Sequence, residues 1–224
     1  MRRALLLALA LPLAALADDA REPLFNLVSL QAEASREVEN DLLTAVLAAE
    51  AEGAEPAKLS AEVNRRMARA LEAAREVRGV RARSGGYRTW PVSEKGRIVR
   101  WRVRQELRLE SGEFAPATAL IGRLQQELVL ASLALSVSDE ARRRTENALI
   151  AEALAALEER ARVVRDALRA KSYRVKDLQV GAGGGLPPRP MFAEARALSA
   201  SAPPAIEPGT TRLQVTVSGT IQLQ

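Results

Sequence analysis

The sequence predicts an α+β fold, with a largely antiparallel sheet and about three helices packed on one of its faces. Segments in which apolar and polar residues alternate, as in strands, outnumber segments with helical spacing of apolar residues. Several neighbouring segments are separated by tight turns, which favours antiparallel pairing. Polar residues at alternate positions of the first, fourth and last predicted strands indicate a sheet with one face in water.

The first seventeen residues have the pattern of a signal peptide. Residues 1–3 (Met-Arg-Arg) supply the positive charge, residues 4–16 are an apolar run, and Ala15-Leu16-Ala17 has the small residues of a cleavage site. The run is shorter than the ~18 residues that span a bilayer. We therefore expect cleavage after Ala17, a periplasmic location, and no transmembrane segment in the mature protein.

The pattern of the next segment predicts two strands and a helix. The strands cover residues 28–38 and 42–50 and are separated by a turn at Asn40-Asp41. The helix begins at Glu55-Pro56, because proline is suited to the first turn of a helix. Its expected buried stripe consists of Leu59, Val63, Met67, Ala70, Leu71 and Ala74.

Two further strands are predicted over residues 80–90 and 97–110. Gly85-Gly86 interrupts the first of them and indicates a bulge. The second has the most regular alternation in the chain. One of its faces carries Val99, Trp101, Val103, Leu107 and Leu109, and the other carries Arg100, Arg102, Arg104, Glu106 and Arg108.

The remaining chain continues with a helix over 114–128, a strand over 130–137 and a long helix over 138–169. Strands are predicted over 173–180 and 212–223. The long helix has apolar residues at spacings of four and three, at Leu149, Ala153, Leu157, Ala161, Val164 and Leu168. Ion pairs Glu158–Arg162 and Arg162–Asp166 are expected on its exposed side.

The segment 181–209 differs in composition from its surroundings. It is rich in Gly, Pro, Ala and Ser, which is typical of a mobile loop. Its Gly183-Gly184-Gly185 lacks the following Lys-Ser/Thr of a phosphate-binding loop. We expect one domain over residues 24–224 that contains this loop.

The composition excludes several classes of function. The chain has no cysteine, so its stability depends on no disulfide, and no histidine, the commonest general base and transition-metal ligand. Ser-His-Asp catalysis, Cys-His catalysis and ordinary zinc sites are therefore excluded. Without Arg2 and Arg3, the 33 Lys and Arg residues fall to 31, against 28 acidic residues. This mixed charge does not indicate a nucleic-acid partner, and we expect no enzyme activity, cofactor or metal.

The chain resembles the SIMPL domain family, a domain of unknown function, over roughly residues 28–223. The resemblance rests on Gly86-Tyr87-Arg88 before the long strand, on LSVSDEARRRTENALIAEALAALEERARVV from Leu135, and on IEPGTTRLQVTVSGTIQL from Ile206. It implies a bacterial periplasmic protein associated with stress tolerance or similar to envelope antigens. It supplies no active-site residue. The sequence departs from the family at Gln31-Ala32-Glu33, where members often have Gly-x-Gly.

Three functions stay open. The first is a non-enzymatic envelope protein that acts through its surfaces, as a homo-oligomer. The exposed polar strands, the 181–209 loop and the absence of the usual catalytic side chains favour it. Open strand edges need covering, and a second subunit is one way to cover them.

The second function is an anion-binding module. A row of Arg100, Arg102, Arg104 and Arg108 on one face of a strand suits bidentate contacts to lipid phosphates, anionic lipids or acidic glycans. The competing interpretation, which we favour, is that these arginines pair across the sheet with carboxylates such as Glu33 and Glu37, or cover apolar surface with their stems.

The third function is a carboxylate hydrolase using Glu50, Glu52 and Glu55. Such groups are frequent in a chain with 28 acidic residues, and a solvated turn is the better interpretation. Tyr87 and Trp90 near the following hairpin are candidates for a binding surface, whereas Trp101 is expected in the core. Arg142-Arg143-Arg144 is interpreted as a solvated cluster in preference to an anion site.

Overall fold

The computed structural model describes residues 25–183 and 207–224, so the predicted signal peptide and most of the predicted loop lie outside the described residues. The described chain has the predicted order of elements, ββαββαβαββ, and the α+β class is confirmed. The elements are β1 (Leu27–Glu39), β2 (Leu42–Gly53), α1 (Pro56–Arg75), β3 (Val80–Glu94), β4 (Arg97–Ser111), α2 (Phe114–Leu124), β5 (Val129–Ser136), α3 (Asp139–Ala167), β6 (Tyr173–Gly183) and β7 (Thr210–Leu223).

The strands are divided between two antiparallel sheets, a division that the sequence pattern did not reveal. One sheet has three strands in the order β1-β7-β6, and the other has four in the order β3-β4-β2-β5. β1 pairs with β7 from Leu27 opposite Gln222 to Glu39 opposite Thr210. β1 and β2 therefore belong to different sheets, although only the turn at Asn40-Asp41 separates them.

Helices α1 and α2 cover one face of the four-stranded sheet. The predicted stripe of α1 is buried at Leu59, Val63, Met67, Ala70 and Ala74, and Leu71 is partly buried beside it. These side chains pack on the inward residues of β2 and β4, namely Leu43, Ala45, Leu47, Val103, Leu107 and Leu109. Helix α2 ends at Leu124, four residues before the predicted end, yet Leu128 beyond it is buried in the same core.

Helix α3 covers the three-stranded sheet in the same way. Leu149, Ala153 and Leu157 pack against Ala32 of β1 and the inward residues of β7, which include Val215. The hydroxyl of Ser138 caps the helix by accepting a hydrogen bond from the Ala141 N–H, with an N–O distance of 3.3 Å.

Two expectations for α3 are wrong. Leu168 is exposed, because the helix ends at Ala167 and the stripe does not continue into the cap. Arg162 pairs with Glu158, as predicted, and also with Glu159, whereas Asp166 pairs with the adjacent Arg165.

The turn at Asn40-Asp41 is hydrogen-bonded to residues at the start of α3 and at the start of β7. Asn40 accepts from the Thr211 hydroxyl (O–O 2.6 Å) and donates to the Pro208 carbonyl (N–O 2.8 Å). The Asp41 carboxylate accepts from the Ser138 N–H at 2.5 Å and from the Ser138 hydroxyl at 2.7 Å. Partial desolvation raises the pKa of Asp41, but these hydrogen bonds and the charge of Arg144 outweigh it, so the pKa is lowered.

We predict that Asp41→Asn destabilises the protein only when Asp41 is ionised. Because the folded pKa lies below its ordinary value of 3.8, the carboxylate stabilises the fold above that pH, and the contribution is lost as the pH falls through the folded pKa. The loss at pH 7 should be about 1 kcal/mol, since the turn is exposed to solvent. Urea unfolding at neutral and acidic pH measures it.

Asp177→Asn is the control, because it removes the same charge at an exposed carboxylate with no side-chain hydrogen bond in the described residues. An Asp41→Asn loss of equal size well below pH 3.8 would contradict the role of the ionised carboxylate.

We also predict that Gly219→Ala lowers the free energy of unfolding by about 1–3 kcal/mol, the usual cost of overpacking. A bulge between Val175 and Asp177 presses β6 onto β7, so that a Cβ at Gly219 would lie 2.7 Å from the Asp177 carbonyl oxygen. Gly86→Ala is the control, because a Cβ there meets no atom within 4 Å. Equal losses from the two substitutions would show that the close contact at Gly219 is not the cause of the effect.

Candidate functional site

The face of the four-stranded sheet opposite α1 and α2 is rich in charged residues. We call it the arginine face; it carries Arg81, Arg83, Arg88, Arg100, Arg102, Arg104 and Arg108 with Glu50, Glu52, Glu106 and Glu110. Among residues 25–183 and 207–224, no other helix or strand packs on it. Seven arginines against four glutamates leave this face with three net positive charges.

Alternation along β4 produces the arginine face. Val103, Leu107 and Leu109 are buried against the helices, so the residues between them emerge on the opposite side. The structure therefore places the predicted row of Arg100, Arg102, Arg104 and Arg108 on one face.

The predicted bulge in β3 determines which of its residues reach the arginine face. The pairing shifts by one residue between Ser84, opposite Leu107, and Tyr87, opposite Gln105. Odd-numbered residues such as Arg83 lie on the arginine face before the shift, and even-numbered residues such as Arg88 lie on it afterwards. A Cβ at Gly85 would lie 3.1 Å from the Glu106 Cβ, so the glycine permits this close approach.

The carboxylate partners of the row lie mainly on β2. Glu52 binds Arg102 with an N–O distance of 2.5 Å and Arg100 at 2.9 Å. Glu50 lies 3.2 Å from Arg102 and 3.6 Å from Arg104. At the far end Arg108 binds Glu110 at 3.0 Å. The row is therefore bridged to the neighbouring strand along most of its length.

The expectation that Glu33 and Glu37 pair with the arginine row is wrong. Both lie on β1, which belongs to the three-stranded sheet and is not a neighbour of β4. Glu33 instead accepts a hydrogen bond from Gln214, and Glu37 lies opposite Arg212 in the register of β1 with β7.

Glu50 and Glu52 are also not in a solvated turn, because β2 continues to Gly53. The hydrogen bond from Arg102 lowers the pKa of Glu52 despite partial desolvation, and the charges of Arg102 and Arg100 add to the shift. Glu55, at the start of α1, pairs with Lys58 at 2.8 Å. Glu50 and Glu52 are thus ion-pair partners of arginines.

The sequence analysis did not identify Arg83 and Arg88 as members of the arginine face. Each lies directly opposite another arginine, Arg83 opposite Arg108 and Arg88 opposite Arg104. In the part of the chain that the structure describes, no carboxylate lies within 4.0 Å of either guanidinium. Gly85-Gly86 was the sequence signal that could have identified Arg88, because a bulge inverts the alternation that follows it.

The aromatic residues occupy different environments. Trp101 packs against the core below the helices, as expected, although it is only partly buried. Trp90 lies opposite Arg102 on the arginine face, where the Arg102 guanidinium carbon is 5.9 Å from the ring centroid. Tyr87 is exposed beside Arg88.

The cluster Arg142-Arg143-Arg144 lies at the edge of the arginine face. Arg142 and Arg143 border a shallow groove together with Arg81 and Arg108, and Asp139 and Glu140 line the same groove. Arg142 also lies 3.9 Å from Glu146 in the next turn of α3. Carboxylates are therefore interspersed with these cations.

Within the described ranges, no three acidic side chains meet closely enough to hold a metal ion. No described helix combines the length and apolar character needed to span a bilayer.

We predict opposite effects of charge reversal at the paired and the unpaired arginines. Arg102→Glu with Arg104→Glu should lower the melting temperature, because the new carboxylates face Glu50 and Glu52 across the strands. Arg83→Glu with Arg88→Glu should raise it, since two pairs of like charges become pairs of opposite charge. Thermal melts at low and high salt test both, because salt should reduce each difference.

The two double variants make the same change of net charge, one in the central strand β4 and the other in the edge strand β3. A similar loss of stability in both would show that total charge, and not local pairing, determines the effect.

The comparisons with known proteins give a family and no described function. No curated protein matches the chain. The model of the SIMPL family, described as a protein of unknown function (DUF541), matches residues 28–221. The match begins in β1 and ends in β7, so it includes both sheets and all three helices of the described structure. The chain therefore belongs to the SIMPL family.

Proposed function

We propose that this protein is a non-enzymatic, exported envelope protein that acts through its surfaces and associates with copies of itself. The observation that carries the proposal is an apolar strip on the edge strand β6. Val175, Leu178 and Val180 on this strand are 57%, 45% and 45% exposed. Such a strip on an open edge is suited to a partner and is a liability without one.

The position of α3 explains why the strip is exposed. The helix lies over β1 and β7, with only slight contact to β6. A groove of about 590 Å³ results between α3 and β6, lined by apolar residues that include Leu154, Leu157 and Ala161. A second copy of the chain would cover this groove and pair with the edge of β6 that no other described strand occupies, which suits a two-fold dimer.

Two observations favour a role without catalysis. The sequence has neither histidine nor cysteine. The glutamates considered for hydrolysis are paired with cations, and a lowered pKa does not suit the general acid of a glycosidase. The pattern of residues 1–17 supports export to the periplasm. A contribution to stress tolerance, implied by the family resemblance, belongs to the same proposal.

The test is sedimentation of the protein purified from the periplasm. The intact mass of this protein should correspond to a chain that begins at Asp18. We expect a concentration-dependent assembly at micromolar protein that Val175→Glu converts to monomer, because Val175 lines the groove and the new charge would be buried at the interface. Val163→Glu is the control, since Val163 is equally apolar and exposed but lies outside the groove.

A wild-type protein that sediments only as monomer would overturn self-association. A mass that includes residues 1–17 would overturn cleavage. Thermal melts of both variants establish that a change in assembly is not a loss of folding.

A second candidate function is anion binding by the arginine face. The observation that favours it is the excess of positive charge there, and in particular Arg83 and Arg88, for which the described residues provide no carboxylate within 4.0 Å. An anion would supply the missing partner. Retention on a column bearing a polyanion such as polyphosphate is the direct measurement.

A further inference from the structure

We propose that the arginine face docks on a phosphate-bearing lipid surface, with Arg83, Arg88 and the tip of the β3–β4 hairpin as its contacts. The proposal deepens the second candidate function and rests on it. Its starting point is the placement of like charges. Arg83 faces Arg108 and Arg88 faces Arg104 at directly opposed positions of an antiparallel pair, an arrangement that destabilises a sheet.

A negatively charged ligand converts this repulsion into attraction. A phosphate placed between Arg88 and Arg104 would accept hydrogen bonds from both guanidinium groups, whose planar donors match the geometry of phosphate oxygens. Glu50 and Glu106 form ion pairs with Arg104, but no carboxylate of the described residues lies within 4.0 Å of the Arg88 guanidinium. Like charges at directly opposed positions depart from the usual pairing of strands, and such departures are found at functional sites.

The shape of the surface indicates many anions rather than one. Arg88 lines an open depression of about 730 Å³ together with Tyr87, Trp90, Arg104 and Glu106. Arg83 and Arg88 are exposed and belong to the outer strand of the sheet. The remaining arginines follow on β4, the adjacent strand, at a spacing of ~4.8 Å. A broad face with cations along two strands matches an array of headgroups better than a single small anion.

The hairpin tip supplies an apolar contact that a soluble polyanion would not use. Pairing of β2 with β4 ends at Gly53 opposite Trp101, so residues 97–100 pair with β3 alone. At this tip Ile98 is 57% exposed, and Val99 is exposed beside it. Lys95 and Arg97 flank them. Exposed apolar residues next to cations are the combination that binds anionic membrane interfaces.

The test is co-sedimentation with vesicles made of equal parts phosphatidylglycerol and phosphatidylcholine. Wild-type protein should bind these vesicles and not vesicles of phosphatidylcholine alone. Arg83→Glu with Arg88→Glu should weaken binding by about tenfold for each reversed arginine. The control, Arg65→Glu with Arg75→Glu, makes the same change of charge at exposed positions of α1, on the opposite side of the sheet. It should retain most of the binding.

The apolar contact is tested separately. Ile98→Ser should weaken vesicle binding without changing retention on polyphosphate, whereas Val163→Ser, at an exposed valine of α3, should change neither. Unaltered vesicle binding by the Arg83 and Arg88 double variant would overturn the proposal. Retention on polyphosphate without vesicle binding would overturn the lipid surface and leave the anion-binding function standing. Binding to neither probe would overturn both.

Discussion

The hydrogen bonds around the turn at Asn40-Asp41 connect the two sheets of this protein. Asp41 accepts a hydrogen bond from Ser138, immediately before α3, and Asn40 accepts one from Thr211 in β7. One short turn therefore contacts elements that are more than ninety residues away in sequence. The two sheets have separate cores, and each core has its own helices. Together with the pairing of β2 and β5, in which Leu42 lies opposite Ser136, this turn sets the position of α3 relative to β2.

A core built with few aromatic residues explains why so much of the sheet surface is left open. Aromatic residues make up 3% of the chain, and the buried contacts are made by Ala, Leu, Val, Ile and one Met. Helices that pack through alanines such as Ala153 approach a sheet closely but cover only a narrow width of it. Within the part of the chain that the structure describes, α3 packs mainly on β1 and β7, and helices pack on one face of the four-stranded sheet.

The local patterns predicted the elements well and their partners poorly. Alternation in the last strand correctly identified Leu213, Val215 and Val217 as core residues, because burial on one face determines that period. Nothing in residues 28–50 indicated that the strands on either side of Asn40 join different sheets, since pairing depends on contacts distant in sequence. The error over Glu33 followed directly from this. The environment of Arg88 was missed because the phase of alternation after a bulge depends on how many residues the bulge inserts.

The bulge in β3 has a consequence for comparing members of this family. It separates the strand into two halves whose alternation is out of phase, with Arg83 and Arg88 on the same face despite an odd interval of five positions. A relative with one residue fewer between these positions would restore a single phase. The residue aligned with Arg88 would then lie an even four positions from the residue aligned with Arg83 and would stay on the charged face without a bulge. A relative that keeps all five positions but has no bulge would instead turn the residue aligned with Arg88 toward the helices. In members of this length, the glycine pair that permits the bulge is therefore the indicator of the same charged surface.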